Sequence, residues 1–548
     1  MTTYNELRVK VGRRPITVVE LDLDFCNNVY GTAPCTAAVG VTGTQKCFNT
    51  YPTCQDAAHY SRGTKTYKFT EANSFLPIGE TVYPCISDVD IAPTQLKPGA
   101  FSVSAAVTVT LDDFPHHDRG VDPYIASRSY DARNQGTFFG KLKARNAIVT
   151  NRVMRVNTGY IDANRTVYTL TRTYFIDRIE GPDANGRVKI VGKDLLRFDE
   201  IEKTKMPRQP TATLTAGAPP NSTFNVSMSP AGVGATLPSG TFLIALDDEI
   251  LNVNVSPGDI LSASTRHEYI TTALAHGAGT VVREVFPNAT GTYRPVQMIR
   301  DLLLAAGIDS SYIPYSAWQT ECDAYIDPTS VETVIVEQES VKTLIEELLT
   351  DFGCALWWDE LDAQLKFKVL STGASSIATL RDVENILEGS MTVKVLEKER
   401  MSRVQVSYGM VKKYPPYADG NFASAMTPDV KNMSKSALVI DTVAESPNAY
   451  AGAVPKEIVS RWLGFNAGAE ATAVANRYLA RYGKTLREVA FQMDAKDSHI
   501  RTGDVVNIVS RLLQAPDGSQ QPVKFIITQF RETVVGSQYS YTALELPA

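Results

Sequence analysis

The chain has 548 residues, 43% hydrophobic and 21% charged, with 54 Lys and Arg against 60 Asp and Glu for a net charge of −6. That length exceeds one hydrophobic core and suits roughly three or four domains, while the ordinary composition excludes a disordered chain and no window approaches the ~18 consecutive apolar residues of a membrane span. An acidic balance without a Lys/Arg run argues against a surface that holds phosphates, although transient passage of nucleic acid past such a wall stays compatible with it.

Met1 is followed by TTYNELRVKVGRRP, which has charges but no apolar run, so no secretory signal is expected and disulfides are disfavoured. Strand character then dominates. PITVVELDLDF, FSVSAAVTVTLDDF, RVMRVNTGYI, RTVYTLTRTYFIDRIEG and GRVKIVGKDLL carry β-branched and aromatic residues with a period of two.

Between the first two of these strands lie Cys26, Cys35, Cys47 and Cys54, four of the seven cysteines, spaced C-x8-C-x11-C-x6-C. Free cysteines scatter with the core, so their clustering among Gly, Pro, Asn and Thr implies loops bent to bring sulfurs together. Three readings compete. An iron–sulfur cluster accepts thiolates from long irregular loops because its irons sit at separate corners. Zinc favours tight C-x2-4-C knuckles, which are missing here. Unligated or disulfide-bonded cysteines are the third reading. Cys85, in TVYPCISDVD, is either a possible substitute ligand or a buried thiol at a strand end, and Cys322 and Cys354 read as core packing.

From residue 203 to 240 the composition shifts to Pro, Gly, Ser and Thr, which places a boundary near Pro207. TFLIALDDEILNVNV and RHEYITTALA continue the β character. A first helix is expected at RPVQMIRDLLLAAGI, stopped by Gly307, and a second at ESVKTLIEELLTDFG, stopped by Gly353. Around them TVIVEQ and CALWWDELDAQLKFKVL make an α/β module. MTVKVLEKERMSRVQVSYG returns to strand, and the Ala-rich helix GAEATAVANRYLARYGKTL reads as a docking helix whose Arg477, Arg481 and Lys484 complement its dipole. REVAFQMDA, TGDVVNIVSRL, PVKFIITQFRETV and SQYSYTALEL then form a small antiparallel barrel or sandwich. The expected division is 1–206, containing the cysteine module at about 26–85, then a β insertion or domain at 207–293, an α/β domain at 294–395 and a C-terminal β-barrel domain with its docking helix at 396–548. The fold class is mainly β and multidomain with a smaller α/β module.

LDLDFCNNVYGTAPCTA, KCFNTYPTCQDAAHY, LDDFPHHD with DPYIASR, and GTFFGKLKARN resemble an N-terminal region of tail-tip proteins from long non-contractile-tailed bacteriophages. The downstream α/β module and C-terminal β-domain also look like the baseplate hub of such tails. The resemblance implies a virion structural protein at the distal end of the tail, assembled in the bacterial host cytoplasm, with a role related to the lambda-type component that carries a [4Fe-4S] cluster. Cys26, Cys35, Cys47 and Cys54 would be the cluster ligands. It further implies a homotrimer that contacts the distal tail protein and the tape-measure protein and seats a central fibre, with DNA only in transit and no catalytic activity.

Two other classes compete with that reading. A cell-wall hydrolase would need a catalytic constellation, and the six histidines do not supply one. His116 and His117 lie beside Asp112, Asp113 and Asp118, the one local group able to hold a metal, yet neighbours on a strand point to opposite faces, so a solvated turn is the preferred reading. His59, five residues after Cys54, could replace a thiolate; His267, His276 and His499 are isolated. A receptor- or glycan-binding module is suggested by Pro207–Gly240 and by the aromatics of KKYPPYADGNF, which also suit rigid turns.

Overall fold

Seven strands close a barrel in the order Pro15–Cys26, Arg62–Glu71, Val82–Ala92, Ala106–Asp112, Arg187–Lys193, Val167–Glu180 and Val153–Ile161, the last pairing back to the first. The computed structural model describes residues 3–547 except 11, 39–40, 43–46, 73–76, 78, 98–104, 117–135, 198, 221–222, 267, 290, 327–330, 411–427, 447–451 and 516. In the first strand the period of two sends Val19, Leu21 and Leu23 inward and leaves Glu20, Asp22 and Asp24 outside. Arg155 on the neighbouring strand answers those charges, gripping Asp22 through both terminal nitrogens at 2.7 Å and Glu20 through Nε at 2.8 Å. The helix Phe138–Arg145, N-capped by Thr137, adds Phe138, Phe139 and Leu142 to the core, with Phe139 stacked on Phe69 at 5.4 Å. Arg62–Glu71 is a strand the sequence does not predict, whereas Val82–Ala92 carries Cys85 on a strand as one reading of it expects. Only Phe69 and Thr70 of the former are buried, so its apolar alternation is too weak to read.

The Pro/Ser/Thr-rich stretch belongs to a second closed barrel, built from Ala212–Leu214, Asn225–Ser229, Ile260–Thr265, Glu249–Ser256, Thr241–Leu246 and Val281–Glu284. RHEYITTALA departs from expectation, because among its described residues it makes a 3-10 turn at Glu268–Ile270 and not a strand. Polar ties hold it. Arg266 turns inward onto Glu249, with Nε 2.9 Å from Oε1, and His276 meets Asp247 and Glu249 through its two ring nitrogens at 2.9 Å each.

The α/β part holds the helices Pro295–Ala305, Tyr315–Tyr325 and Val341–Phe352 and the hairpin Cys354–Asp359 with Gln364–Val369. Ser340 caps the third helix and Gly353, at φ +64°, ends it, a conformation that favours glycine. Tyr315–Tyr325 was not expected, since Trp318 and Cys322 alone are buried on it and leave no readable stripe. Strand pairing does not follow the expected division at 395. Ala378–Arg381 and Thr392–Leu396 are the two outer strands of a C-terminal six-stranded sheet with Val505–Val509, Val523–Val534, Gln538–Glu545 and Leu486–Asp494 between them, so this sheet is open where a barrel was expected. Arg403–Tyr408, with Lys435–Ile440 and Pro455–Val459, and the helix Gly468–Tyr482 instead share the hydrophobic core of the three earlier helices. In that helix Arg481 stands in the last turn, as expected, but is 3% exposed and points inward.

The first barrel docks on the C-terminal sheet through a buried ion pair. Arg172 and Glu532 are 3.0 Å apart with side chains 2% and 3% exposed. Glu532 also accepts from Thr158 Oγ1 at 2.9 Å, the Gly536 amide at 2.7 Å and the Tyr539 hydroxyl at 3.0 Å, so its lone pairs are well used. Removing one partner of such a pair leaves the other charge buried. Glu532→Gln is therefore expected to cost about 3–5 kcal/mol, read as a lower denaturation midpoint for the full chain, while Arg178→Gln on the exposed face of the barrel should change it little. In the second barrel, burial would lower the His276 pKa, but the hydrogen bonds to Glu249 and Asp247 outweigh it and raise the value above 6.5. A raised value means stability present below the unfolded pKa and lost as pH climbs through the folded one. The stability advantage of the wild type over His276→Gln should thus be largest just below pH 6.5 and shrink above it.

Candidate metal centre

The barrel's first hairpin is unusual in what lies between its strands. Pairing runs from Val18 opposite Thr70 down to Cys26 opposite Arg62, so residues 27–61 leave and re-enter the barrel at one point. The Cys26 amide donates to Asn49 O at 2.7 Å, and Asn49 Nδ2 returns to Asn28 O at 3.1 Å, which folds the excursion back over the end of the first strand. Asn49 sits at φ 57°, a left-handed conformation that Asn tolerates better than most residues.

Cys26, Cys35, Cys47 and Cys54 all line one small cavity inside this excursion, together with Tyr30, Gln55 and Tyr60 among others. None of the four is in a disulfide, and Cys26 and Cys47 are buried while Cys35 and Cys54 are half-buried. They feel one another. Burial raises the Cys47 pKa, with Cys54, Cys35 and Cys26 adding to the rise, and burial followed by Cys26 and Cys35 does the same to Cys54. Backbone hydrogen bonds work the other way, from Asn49 to Cys47 and from the Asp56 amide to Cys54 Sγ at 3.4 Å.

Among the described residues no group of three or more His, Cys, Asp or Glu side chains is placed so that it could hold a metal ion. A cubane spreads its irons over separate corners and takes a looser set of thiolates. The wall also carries two buried donors without partners, Gln55 Nε2 and Tyr60 Oη, which leave hydrogen-bonding capacity on the cavity unused. Gln55 is fixed by its oxygen, which accepts from Tyr30 Oη at 3.0 Å and Thr42 Oγ1 at 3.1 Å. The cavity of about 10 Å³ has room for little more than a water, so a cluster needs the surrounding irregular loops to stand further apart.

Other sequence candidates fall elsewhere. Cys85 is not on the cavity wall. It packs in the barrel core, its thiol pushed up to about 12 by burial and then by Asp112 and Asp113. His59 is exposed and bonded through Nδ1 to Asp56 at 2.9 Å. Asp56, held at about 2 by the Thr36 amide and then by His59, pins the loop that carries Cys35. His116 lies in an aromatic nest against Phe138, centroids 5.1 Å apart; His117, Asp118 and His267 fall outside the described residues, as does KKYPPYADGNF. Cys322 and Cys354 are buried in the core, as expected of them. Gln55, Tyr60 and Asn49 were missed by sequence reading, since polar loop residues next to cysteines carry no periodic signal.

No protein-family model matches the chain, and no curated protein matches it. Among solved structures it is similar to a tail protein from Neisseria meningitidis MC58 (10% identity, 83% of this chain and 96% of that one, TM-score 0.38). It is also similar to the 43 kDa tail protein of prophage MuSo2 from Shewanella oneidensis (9%, 84% and 97%, TM-score 0.37) and to prophage tail protein gp18 from Listeria monocytogenes EGD-e (11%, 83% and 89%, TM-score 0.35). Superpositions at that level establish neither a shared fold nor a shared role.

The geometry orders the thiols by access. In metal-free native protein, a disulfide reagent at mildly alkaline pH should label Cys35 and Cys54 first, while Cys85, Cys322 and Cys354 should react only after denaturation. Mass mapping of labelled peptides checks this, and early labelling of Cys85 would contradict its place in the core.

Proposed function

We propose that the chain is a structural subunit of a bacteriophage tail tip, forming a threefold hub that joins the distal tail tube to the central fibre and closes or gates the DNA channel. Cys26, Cys35, Cys47 and Cys54 hold a [4Fe-4S] cluster within it. The single observation that carries this reading is the meeting of those four thiols on one cavity, in the segment whose residues resemble tail-tip proteins. When bound, the cluster supplies cross-links between loops that have little apolar core of their own, and binding to the native state alone stabilises that state. The role is structural.

The outer surface of the same excursion suits an assembled interface. Val29, Val41 and Tyr51 are 68, 82 and 63% exposed, and nearby Ile148 is 76% exposed. Tyr51 and Ile148 share an open cleft of about 470 Å³ with Arg62, Arg145 and Arg152. Apolar side chains clustered at the surface with charged neighbours are what protein contacts bury. In this reading the copies of the chain, the distal tail protein, the tape-measure protein and the central fibre are its partners, DNA passes only in transit, and no reaction is catalysed.

Anaerobic purification with iron, zinc and acid-labile sulfide analysis tests the centre, alongside mass under native conditions. About four irons and four sulfides per chain, lost when the four cysteines become Ser, together with a trimer, is the expected outcome. Zinc without sulfide would replace the cluster, and a chain that stays monomeric even when mixed with tail partners would remove the hub.

A further inference from the structure

The cysteine excursion and the junction that follows helix Phe138–Arg145 face each other across the open cleft of about 470 Å³, within the roughly 300–1,000 Å³ typical of ligand clefts. Tyr51 and Pro52 stand on the excursion side and Ala147 and Ile148 on the other, and all four are exposed. Both sides are held in place. Tyr51 packs edge-on against Tyr60 with ring centroids 5.3 Å apart. Asn146, two residues before Ile148, is tied to Leu142 O through its amide at 3.0 Å and through Nδ2 at 2.9 Å, and the Arg152 amide closes the same turn onto Val149 O at 3.2 Å. An isoleucine and a tyrosine fixed in solvent bury no apolar area for the fold, and such groupings mark contact sites.

The charged lining is mostly of one sign. Arg62, Arg145 and Arg152 share it with Asp24, the one carboxylate on the walls among the described residues, so three cations against one anion leave an excess of two positive charges in a chain of net charge −6. Asp24 does not cancel them. Arg152 Nη2 meets it at 2.6 Å and stays 30% exposed, while Arg62 stands off at 3.5 Å with its side chain 64% exposed. Arg145 lies over the Phe48 ring at 3.6 Å, a contact that leaves its charge in place. Guanidinium surface open to solvent therefore borders apolar surface, and Arg and Tyr are the residues that protein interfaces concentrate at their centres. Nucleic acid would leave the apolar walls unused and calls for a basic track that this acidic chain lacks.

We propose that this cleft is a docking site for an acidic peptide segment of another protein, with an aliphatic or aromatic side chain seated between Tyr51 and Ile148 and flanking Asp or Glu side chains on the arginines. The proposal names the partner chemistry of the exposed face already assigned to assembly and rests on that assignment, not on the cluster or the threefold hub.

Selection of a randomised peptide library on the immobilised full chain tests it. The enriched peptides are expected to carry Asp or Glu around an apolar residue and to bind more weakly as salt rises. Ile148→Asp and Arg62→Glu, both at exposed positions, should each weaken them by about tenfold or more, the loss of one interface anchor. Leu512→Asp, an exposed change outside the cleft, should leave binding as it is. Enriched peptides without acidic residues, unchanged binding to Ile148→Asp or to Arg62→Glu, or a single-stranded oligonucleotide that binds more tightly than the peptides would each overturn the proposal. So would self-association of the wild type that Ile148→Asp abolishes, which makes a second copy the occupant. Native mass and iron analysis of the same samples read the hub and the cluster separately. An iron-bearing trimer that enriches no acidic peptide overturns the docking site alone, whereas a monomer without iron that still binds such peptides overturns the hub and leaves the docking site standing.

Discussion

Everything distinctive about the N-terminal region depends on the antiparallel pairing of Pro15–Cys26 with Arg62–Glu71. Backbone hydrogen bonds fix Cys26 opposite Arg62, so residues 27–61 are tied at their base however irregular they are beyond it. Closing a loop costs entropy that grows only slowly with its length, and here the barrel, with its own core of Val19, Leu21, Leu23 and their neighbours, meets that cost. The excursion can then be made of Gly, Pro, Asn and Thr without unfolding. Its side chains are free to serve a purpose other than packing, which is where the four thiols come in.

Buried polar contacts do for the joints of this molecule what apolar packing does for its barrels. Arg172 with Glu532 seats the first barrel on the C-terminal sheet, and Arg266, Glu249 and His276 hold an irregular crossing of the second barrel that has no strand ladder to hold it. In both, each charge meets an opposite one, the condition under which burial is tolerated. Arg481 departs from that pattern, since its buried Nε and Nη2 have no hydrogen-bond partner.

Two closed barrels and an open sheet also explain how a scaffold can avoid uncontrolled association. Closure removes edge strands from most of the N-terminal half, so contacts there must be made by side chains and loops. Around the cysteine excursion those side chains include Val29, Val41 and Tyr51 at high exposure. A surface of this kind suits association through a particular patch and not through strand addition.

The sequence by itself determined the mainly β class, the strands with strong alternation, the helices ending at Gly307 and Gly353, and the grouping of Cys26, Cys35, Cys47 and Cys54 apart from the core cysteines. These are local properties, written in a period of two, a period of 3.6, a glycine at positive φ or a cluster of one residue type. Tertiary structure alone decided which strands are neighbours. Ala378–Arg381 and Thr392–Leu396 join strands more than a hundred and about ninety residues later, and helix Gly468–Tyr482 returns to the earlier α/β core, so strand pairing and core packing both cross residue 395. It also decided that Cys85 faces the barrel interior while Gln55 and Tyr60 face the thiols, and that Arg481 of an apparently solvent-facing helix is enclosed. Register and burial are set by partners distant in sequence, so no local pattern could carry them.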